Sequence, residues 1–368
     1  MTNSKLVLAA GLAAATFALV LANTVGLGNS SLSAGQTVNN SIQNNVGISS
    51  AQSSFDNASD YFVLQSQQEH FDAVKTGQAE EILDQIKQAA AKIEIASITD
   101  YNITGTDGNT IRVRFYNPGI EQKPSPLLIH VYGIGGNLDS SDPGLRILAN
   151  STGFMVATID YRVAPFSASL DDVVATVRWI HQNADNLDVD SQRIALGGMS
   201  RGANLALSTA LVLKDSGNVE GQNLLRLLYL LNGYYSPDLL ESKSAKMFGN
   251  GTDLITSADI EMIFDQLHQN KSDYNNPLAF PILSKNLTGL PPVYIVASAL
   301  DPLKDESTEL AARLQEEGQE YYISIWPGVG HSAASFMFTP IIPELQTYLD
   351  SMTVYLRGVL MDDREKSG

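Results

Sequence analysis

The sequence predicts an α/β fold in which a mostly parallel central sheet is flanked by helices on both faces. Continuous apolar runs of strand length, such as 127–132, 154–159 and 293–297, are typical of strands buried on both faces. These runs alternate with segments whose apolar residues recur at helical spacing. Such alternation favours parallel pairing, because parallel strands need a crossover connection and the crossover is usually a helix.

The predicted elements follow in order along the chain. Helical spacing runs from about 61 to 95, and two β-rich segments at 95–103 and 110–116 flank the hairpin signal Asp107-Gly108. The sequence then predicts strands at 127–132, 154–159, 194–196, 227–231, 293–297 and 321–326, with helices around 143–149, 170–182, 203–213, 306–317 and 343–358. The stretch 234–285 interrupts this alternation and is interpreted as an insertion, helical around 257–269.

Composition narrows the function classes. The formal net charge of −17 at pH 7 repels phosphate backbones and argues against nucleic acid as a partner. The chain has no cysteine, which excludes disulfides, cysteine nucleophiles and thiolate metal sites. Histidine and acidic residues show no metal-ligand spacing, and the glycines at 133–136 lack the rest of a dinucleotide fingerprint. The sequence therefore predicts neither a metal nor a cofactor.

The N-terminus has the features of a targeting segment. Lys5 precedes an apolar run from Leu6 to Ala22, which predicts a signal peptide over 1–22, cleaved after Ala22. An uncleaved membrane anchor is the alternative, because the run is nearly long enough to span a bilayer. Residues 23–54 are rich in Ser, Asn, Gly and Gln and are predicted to be a flexible linker. The folded domain is then 55–368, on a protein exported to the periplasm or medium, or else tethered to the membrane.

The pentapeptide Gly198-Met199-Ser200-Arg201-Gly202 lies between a predicted strand and a predicted helix. This is the G-x-S-x-G pattern of a nucleophile elbow, in which a tight strand-to-helix turn exposes the serine hydroxyl. The flanking glycines fit a turn at which neighbouring backbones pass closely. The alternative is a plain tight turn, but the strand–turn–helix context favours Ser200 as a nucleophile.

A serine nucleophile needs a base, and the base needs an acid that orients it. His331 follows the strand 321–326, and Asp301 follows the strand 293–297, so both are predicted at the sheet edge that carries Ser200. Asp301 could instead cap the next helix, and Asp305 is a nearby competitor. The other histidines compete poorly: His130 is within a core strand, and those at 70, 181 and 268 have surface-like neighbours.

These residues and their surroundings resemble the hormone-sensitive-lipase-like branch of the α/β-hydrolases. The resemblance covers roughly 95–352 and is carried, besides the elbow, by Asp160-Tyr161-Arg162-Val163-Ala164-Pro165, Leu170-Asp171-Asp172, Arg178-Trp179, Leu290-Pro291-Pro292 and Asp301-Pro302-Leu303-Lys304-Asp305. It implies an α/β-hydrolase fold with a helical cap, built from about 55–94 and 234–285, over the active site.

The resemblance also implies an oxyanion hole of backbone N–H groups, which we assign to Ile134, Gly135 and Arg201, with Gly136 as a register alternative. The branch usually reads H-G-G-G in that loop and G-D-S-A-G at the elbow. Here the loop reads Tyr132-Gly133-Ile134-Gly135, and Met199 and Arg201 flank the serine. These departures leave the fold and the triad of the branch in place. They do not allow a specific substrate of the branch to be assigned to this chain.

The sequence therefore predicts a serine esterase that cleaves a small-molecule carboxylic ester through an acyl-enzyme, with Ser200, His331 and Asp301 as the triad. An amidase or peptidase with the same triad is the first alternative. A catalytically silent small-molecule binder is the second, although such relatives typically lose the histidine that is present here. The acyl-chain length and the oligomeric state are left open by the sequence.

Overall fold

A computed structural model describes residues 63–75, 77–120, 123–216, 224–250, 255–268 and 270–361. The predicted signal peptide at 1–22 and the predicted linker at 23–54 lie outside these ranges and stay predictions. Within the described ranges, each helix is too short or too polar to cross a membrane.

The centre of the molecule is an eight-stranded sheet. The strands are β1 (Ser97–Thr104), β2 (Thr110–Asn117), β3 (Ser125–Val131), β4 (Met155–Asp160), β5 (Val189–Met199), β6 (Leu227–Leu231), β7 (Val293–Ser298) and β8 (Tyr321–Trp326). Their spatial order is β1-β2-β4-β3-β5-β6-β7-β8. Pairing is antiparallel for β1 with β2 and for β2 with β4, and it is parallel at every later step.

Helices cover both faces of this sheet. They are α1 (Gln65–Lys75), α2 (Ala79–Ala90), α3 (Leu138–Thr152), α4 (Phe166–Gln182), α5 (Arg201–Asp215), α6 (Lys243–Phe248), α7 (Ser257–Leu267), α8 (Lys304–Glu316) and α9 (Leu345–Leu360). The predicted α/β-hydrolase fold, with a mostly parallel sheet between helices, is confirmed.

Alternate strand residues enter two separate hydrophobic cores, one on each face of the sheet. Leu127 and Ile129 of β3 belong to the first core, together with α4, α5, α8 and the insertion. Leu128 belongs to the second core, together with α3 and α9. Since β3 is buried throughout, its neighbours on both faces exclude water, as its continuous apolar sequence predicts.

Some element boundaries differ from those predicted. The helical stretch 61–95 contains two helices, and between them Gly77 adopts a left-handed φ of 85°. Strand β5 begins at Val189, five residues before the predicted start, because the polar stretch before Ile194 continues in extended conformation. Only its second half carries the continuous apolar pattern that marks a buried strand, so only that half was recognisable from sequence.

The two segments predicted to form the cap pack in different places. Ile260 and Phe264 of α7, in the insertion, join the first core and approach Ser200. Ile82 and Ile86 of α2 join the second core, which contains α3 and α9. The insertion thus covers the elbow, whereas membership of the N-terminal helices in a cap stays a prediction.

Candidate active site

Ser200 occupies a sharp turn between β5 and α5. Its backbone has φ 57° and ψ −118°, a conformation that L-residues other than glycine rarely adopt and that costs about 1–3 kcal/mol. The Ser200 N–H donates to the Leu231 carbonyl of the neighbouring strand over 2.8 Å. The fold therefore holds the serine in a strained turn at the carboxyl edge of the sheet, as the elbow pattern predicts.

The two elbow glycines are required by close backbone contacts. A methyl group on Gly202 would overlap the Val131 carbonyl, and one on Gly198 would overlap the same oxygen. A methyl on Gly133 would lie 3.3 Å from Ser200 Cβ, so the loop after β3 passes directly beside the serine. The glycines thus allow β3, its following loop and the elbow to meet.

We expect Gly202→Ala to lower the free energy of unfolding by more than about 3 kcal/mol, because the obstacle is rigid backbone. Gly358→Ala is the matched control, since Gly358 lies in α9 with open space around its Cα. That change should be neutral or stabilising by up to about 1 kcal/mol. Urea denaturation of both variants measures the difference. Equal stabilities of the two variants would contradict the packing described for the elbow.

Asp301 and His331 form a buried hydrogen-bonded pair. His331 Nδ1 lies 2.8 Å from Asp301 Oδ2, and the other carboxylate oxygen accepts the Leu303 N–H over 2.8 Å. Asp301 is fully buried and His331 is 7% exposed. The Leu300 N–H donates to the Val329 carbonyl over 3.0 Å and so joins the two loops that carry the pair.

The competing residues have other partners. Asp305 accepts hydrogen bonds from the Ser244 N–H at 2.8 Å and from Lys304 Nζ at 2.9 Å. His130 is buried in β3, and burial lowers its pKa to about 4, as suits a neutral core histidine. The surface-like setting predicted for His268 is wrong. This side chain is 4% exposed because it packs among Phe166, Phe264, Tyr274 and Phe280.

The loop after β3 forms a tight turn beside Ser200. The Gly136 N–H donates to the Gly133 carbonyl over 3.2 Å, and Gly135 has a φ of 80°, typical of the third residue of a type II turn. The positive φ falls on Gly135, so Ile134 keeps an ordinary conformation. Among the described residues the N–H groups of Ile134 and Gly135 have no partner, whereas that of Gly136 is engaged within the turn.

The segments on the two sides of Ser200 each contribute to the site. Tyr161 donates its hydroxyl proton to the Tyr132 carbonyl over 2.9 Å, and the two rings stack at 4.9 Å. Arg201 begins α5, so its backbone N–H is one of the four that have no partner within a helix. The predicted oxyanion donors Ile134, Gly135 and Arg201 thus border the elbow from two sides.

Asn232 connects the three segments of the site, and sequence reasoning missed it. Its Nδ2 donates to the His331 carbonyl at 3.0 Å and to Ser298 Oγ at 2.9 Å, while its Oδ1 accepts the Ser298 N–H at 2.9 Å. The preceding residue, Leu231, accepts the Ser200 N–H. Asn232 has a φ of 46°. The Asn232-Gly233 pair signals a turn, but a sequence cannot show which distant loops its amide reaches.

A small cavity opens at Ser200. It is lined by Ile134, Ser200, Arg201, Tyr234, Ile255, Ile260, Ile263, Phe264 and Leu303. Six of these are isoleucine, leucine or phenylalanine, so the cavity suits a short apolar group. Nowhere in the part of the chain that the structure describes do three or more histidine, aspartate or glutamate side chains gather in a way that could hold a metal.

Glu306 is a buried carboxyl that contacts the start of the insertion. It lies in α8 at 3% exposure, and its Oε2 accepts the N–H groups of Tyr235 at 2.6 Å and Ser236 at 2.7 Å. Burial raises its pKa to about 8, although both hydrogen bonds favour the carboxylate. Glu306 therefore keeps its proton in the folded chain at pH values where the unfolded chain has lost it.

This raised pKa predicts a pH-dependent stability. Between about pH 4.5 and about pH 8 the folded state holds one more proton than the unfolded state, so the free energy of unfolding falls as pH rises. The slope due to one group is at most about 1.4 kcal/mol per pH unit. Glu306→Gln should remove this component, which chemical denaturation at several pH values measures. Parallel pH profiles for the two proteins would contradict the assignment to Glu306.

Comparison with known proteins places these observations among characterised relatives. Residues 132–335 match a family model described as alpha/beta hydrolase fold. An acetyl esterase of Salmonella paratyphi B is 31% identical over 235 residues, which is 62% of this chain and 71% of that protein. A carboxylic ester hydrolase of Mycobacterium tuberculosis is 34% identical over 230 residues, 60% of each chain. A hyperthermophilic esterase from the archaeon Pyrobaculum calidifontis has a TM-score of 0.69 at 26% identity, covering 78% of this chain and 93% of that one.

Proposed function

We propose that this chain, which belongs to the α/β-hydrolase fold family, is a serine esterase that cleaves small carboxylic esters through Ser200, His331 and Asp301. The observation that carries the proposal is the buried 2.8 Å hydrogen bond between Asp301 and His331, on loops tied to the strained Ser200 elbow. Relatives named acetyl esterase and carboxylic ester hydrolase support the reaction class.

Ser200 Oγ attacks the ester carbonyl carbon, and the imidazole of His331 takes the hydroxyl proton. Because Nδ1 of His331 faces Asp301, the ring nitrogen that serves Ser200 is Nε2. The carboxylate of Asp301 holds the Nδ1–H tautomer and stabilises the imidazolium that forms. His331 then protonates the departing alcohol, and a water molecule activated by the same imidazole hydrolyses the acyl-enzyme.

Negative charge develops on the carbonyl oxygen as Ser200 attacks. The N–H groups of Ile134, Gly135 and Arg201 are proposed to receive it, because they flank the elbow and the first two have no partner among the described residues. Main-chain donors explain why an isoleucine is tolerated where the family usually has glycine. The side chain of Ile134 lines the cavity instead.

Esters with a short acyl chain fit the small apolar cavity best. The experiment compares p-nitrophenyl esters of increasing chain length with the p-nitroanilides of the same acids. We expect ester hydrolysis that declines with acyl length and anilide hydrolysis that is slower by orders of magnitude. Faster anilide cleavage would instead identify an amidase, and folded protein that cleaves neither would identify a binding protein.

Asn232 is proposed to position the triad without touching the substrate. Asn232→Gly keeps the positive φ without strain and removes the amide, so it should lower kcat by about tenfold to a hundredfold and leave KM nearly unchanged. Asn232→Ala loses the same bonds and adds backbone strain, so it should also be less stable than the glycine variant. Wild-type kcat in a folded Asn232→Gly protein would contradict the positioning role.

A further inference from the structure

Arg201 is a buried cation with neutral neighbours. Its side chain is almost completely buried, at 1% exposure. Nη1 donates to the Tyr234 hydroxyl over 2.7 Å, Nη2 donates to Ser169 Oγ over 3.3 Å, and the guanidinium lies 5.7 Å from the centre of the Phe166 ring. Within the part of the chain that the structure describes, no carboxylate lies within 4.0 Å of this guanidinium.

Several polar atoms of Arg201 and His268 are buried without a hydrogen-bond partner in the described structure. A guanidinium carries five N–H donors, and Arg201 Nε is buried without a hydrogen-bond partner in the described structure. Both ring nitrogens of His268 are likewise buried without a partner there. The positive charge of Arg201 contributes, after burial, to lowering the pKa of His268 to about 4. The two side chains contact the same ring, that of Phe166.

A buried guanidinium without an anionic partner destabilises the folded protein unless a bound group supplies the negative charge. A buried charge is normally paired, because removing an unpaired ion from water is strongly unfavourable. Arg162 has such a pairing: it donates two hydrogen bonds to the buried Asp172 carboxylate, at 2.9 and 2.7 Å. Arg201 differs from Arg162 in lining the cavity at Ser200, where a substrate can supply the missing anion.

We propose that the Arg201 guanidinium binds a carboxylate carried by the acyl part of the substrate, so that the enzyme prefers monoesters of short dicarboxylic acids. This rests on the proposed function, since it concerns the acyl group transferred to Ser200. The planar guanidinium suits a carboxylate, because its N–H donors match the two oxygens. The isoleucines at 255, 260 and 263 would contact the methylene groups between the carboxylate and the ester.

The experiment compares two methyl esters of equal chain length, monomethyl glutarate and methyl pentanoate, by titrating the released acid. We expect wild-type kcat/KM to favour monomethyl glutarate by about tenfold to a hundredfold, the range of a charge-assisted hydrogen bond. Arg201→Met should reduce this preference by the same factor, and Arg201→Lys by less. Arg146→Met, whose arginine pairs with Asp142 in α3, is the matched control and should keep the preference.

The results of these assays distinguish failure of the Arg201 carboxylate site from failure of the esterase activity. If methyl pentanoate is hydrolysed as well as monomethyl glutarate, or better, the esterase stands and the carboxylate site is overturned. If neither ester is cleaved, calorimetric binding of monomethyl glutarate to wild type is measured. Binding that is lost in Arg201→Met supports the carboxylate site while the esterase fails. Absence of binding to folded wild type overturns the carboxylate site as well.

Discussion

Ser200→Ala is expected to lower kcat for ester hydrolysis by about four to six orders of magnitude while the protein stays folded. The hydroxyl is the only group lost, and the acyl-enzyme cannot form without it. The backbone N–H at this position would still donate to the Leu231 carbonyl. Alanine also adopts φ 57° at about the same cost as serine, so the elbow should persist. A steady-state ester assay measures the loss of kcat, and a denaturation curve shows whether the variant is folded.

Ser208→Ala is the matched control for this change. Ser208 is buried on the same helix and donates its hydroxyl proton to the Asn204 carbonyl over 2.9 Å, one turn away. Its removal should change kcat less than twofold and stability by about 1 kcal/mol. An Ser200→Ala protein that retains more than a hundredth of wild-type kcat would contradict Ser200 as the nucleophile.

Asp301→Asn is expected to lower kcat by about three to four orders of magnitude. The amide can still approach His331 Nδ1, but as a donor it would favour the tautomer whose proton is on Nε2, where the base must accept the Ser200 proton. It also removes the charge that stabilises the imidazolium. A steady-state assay near neutral pH measures the loss, and it should appear in kcat more than in KM.

Asp305→Asn tests whether the choice between the two neighbouring carboxylates is right. Asp305 bonds to Ser244 and Lys304, so its loss should cost stability and leave kcat within about tenfold of wild type. A larger loss of kcat in Asp305→Asn than in Asp301→Asn would overturn the assignment of the acid.

The parts of the fold that sequence predicted well are those set by local patterns. The strand Leu227–Leu231 is a continuous apolar run, and Tyr321–Trp326 is apolar or aromatic except at Ser324; the limits of both agree with the prediction. The elbow was recognisable because the close approach of neighbouring backbone requires glycine at both flanking positions, which gives the turn a fixed sequence pattern. Chain order then gave Asp301 and His331, because the loops after parallel strands meet at one edge of the sheet.

What sequence could not predict depends on contacts between distant segments. His268 has polar neighbours in sequence, yet it is buried because it packs against Phe166 of α4 and against Phe280, a later residue of the insertion. Asn232 is one polar residue after an apolar strand, and its role comes from Ser298 and His331, which lie 66 and 99 residues further along the chain. The neutral partners of Arg201 are likewise supplied by α4 and the insertion.

Covalent labelling shows directly whether Ser200 is an activated nucleophile. The protein is treated with an alkyl fluorophosphonate and digested, and the masses of its peptides are measured by mass spectrometry. We expect one phosphonyl group per chain, on the peptide that contains Ser200, and faster labelling than in Asp301→Asn. Label on another residue, or folded wild-type protein that takes up no label, would contradict this role of Ser200.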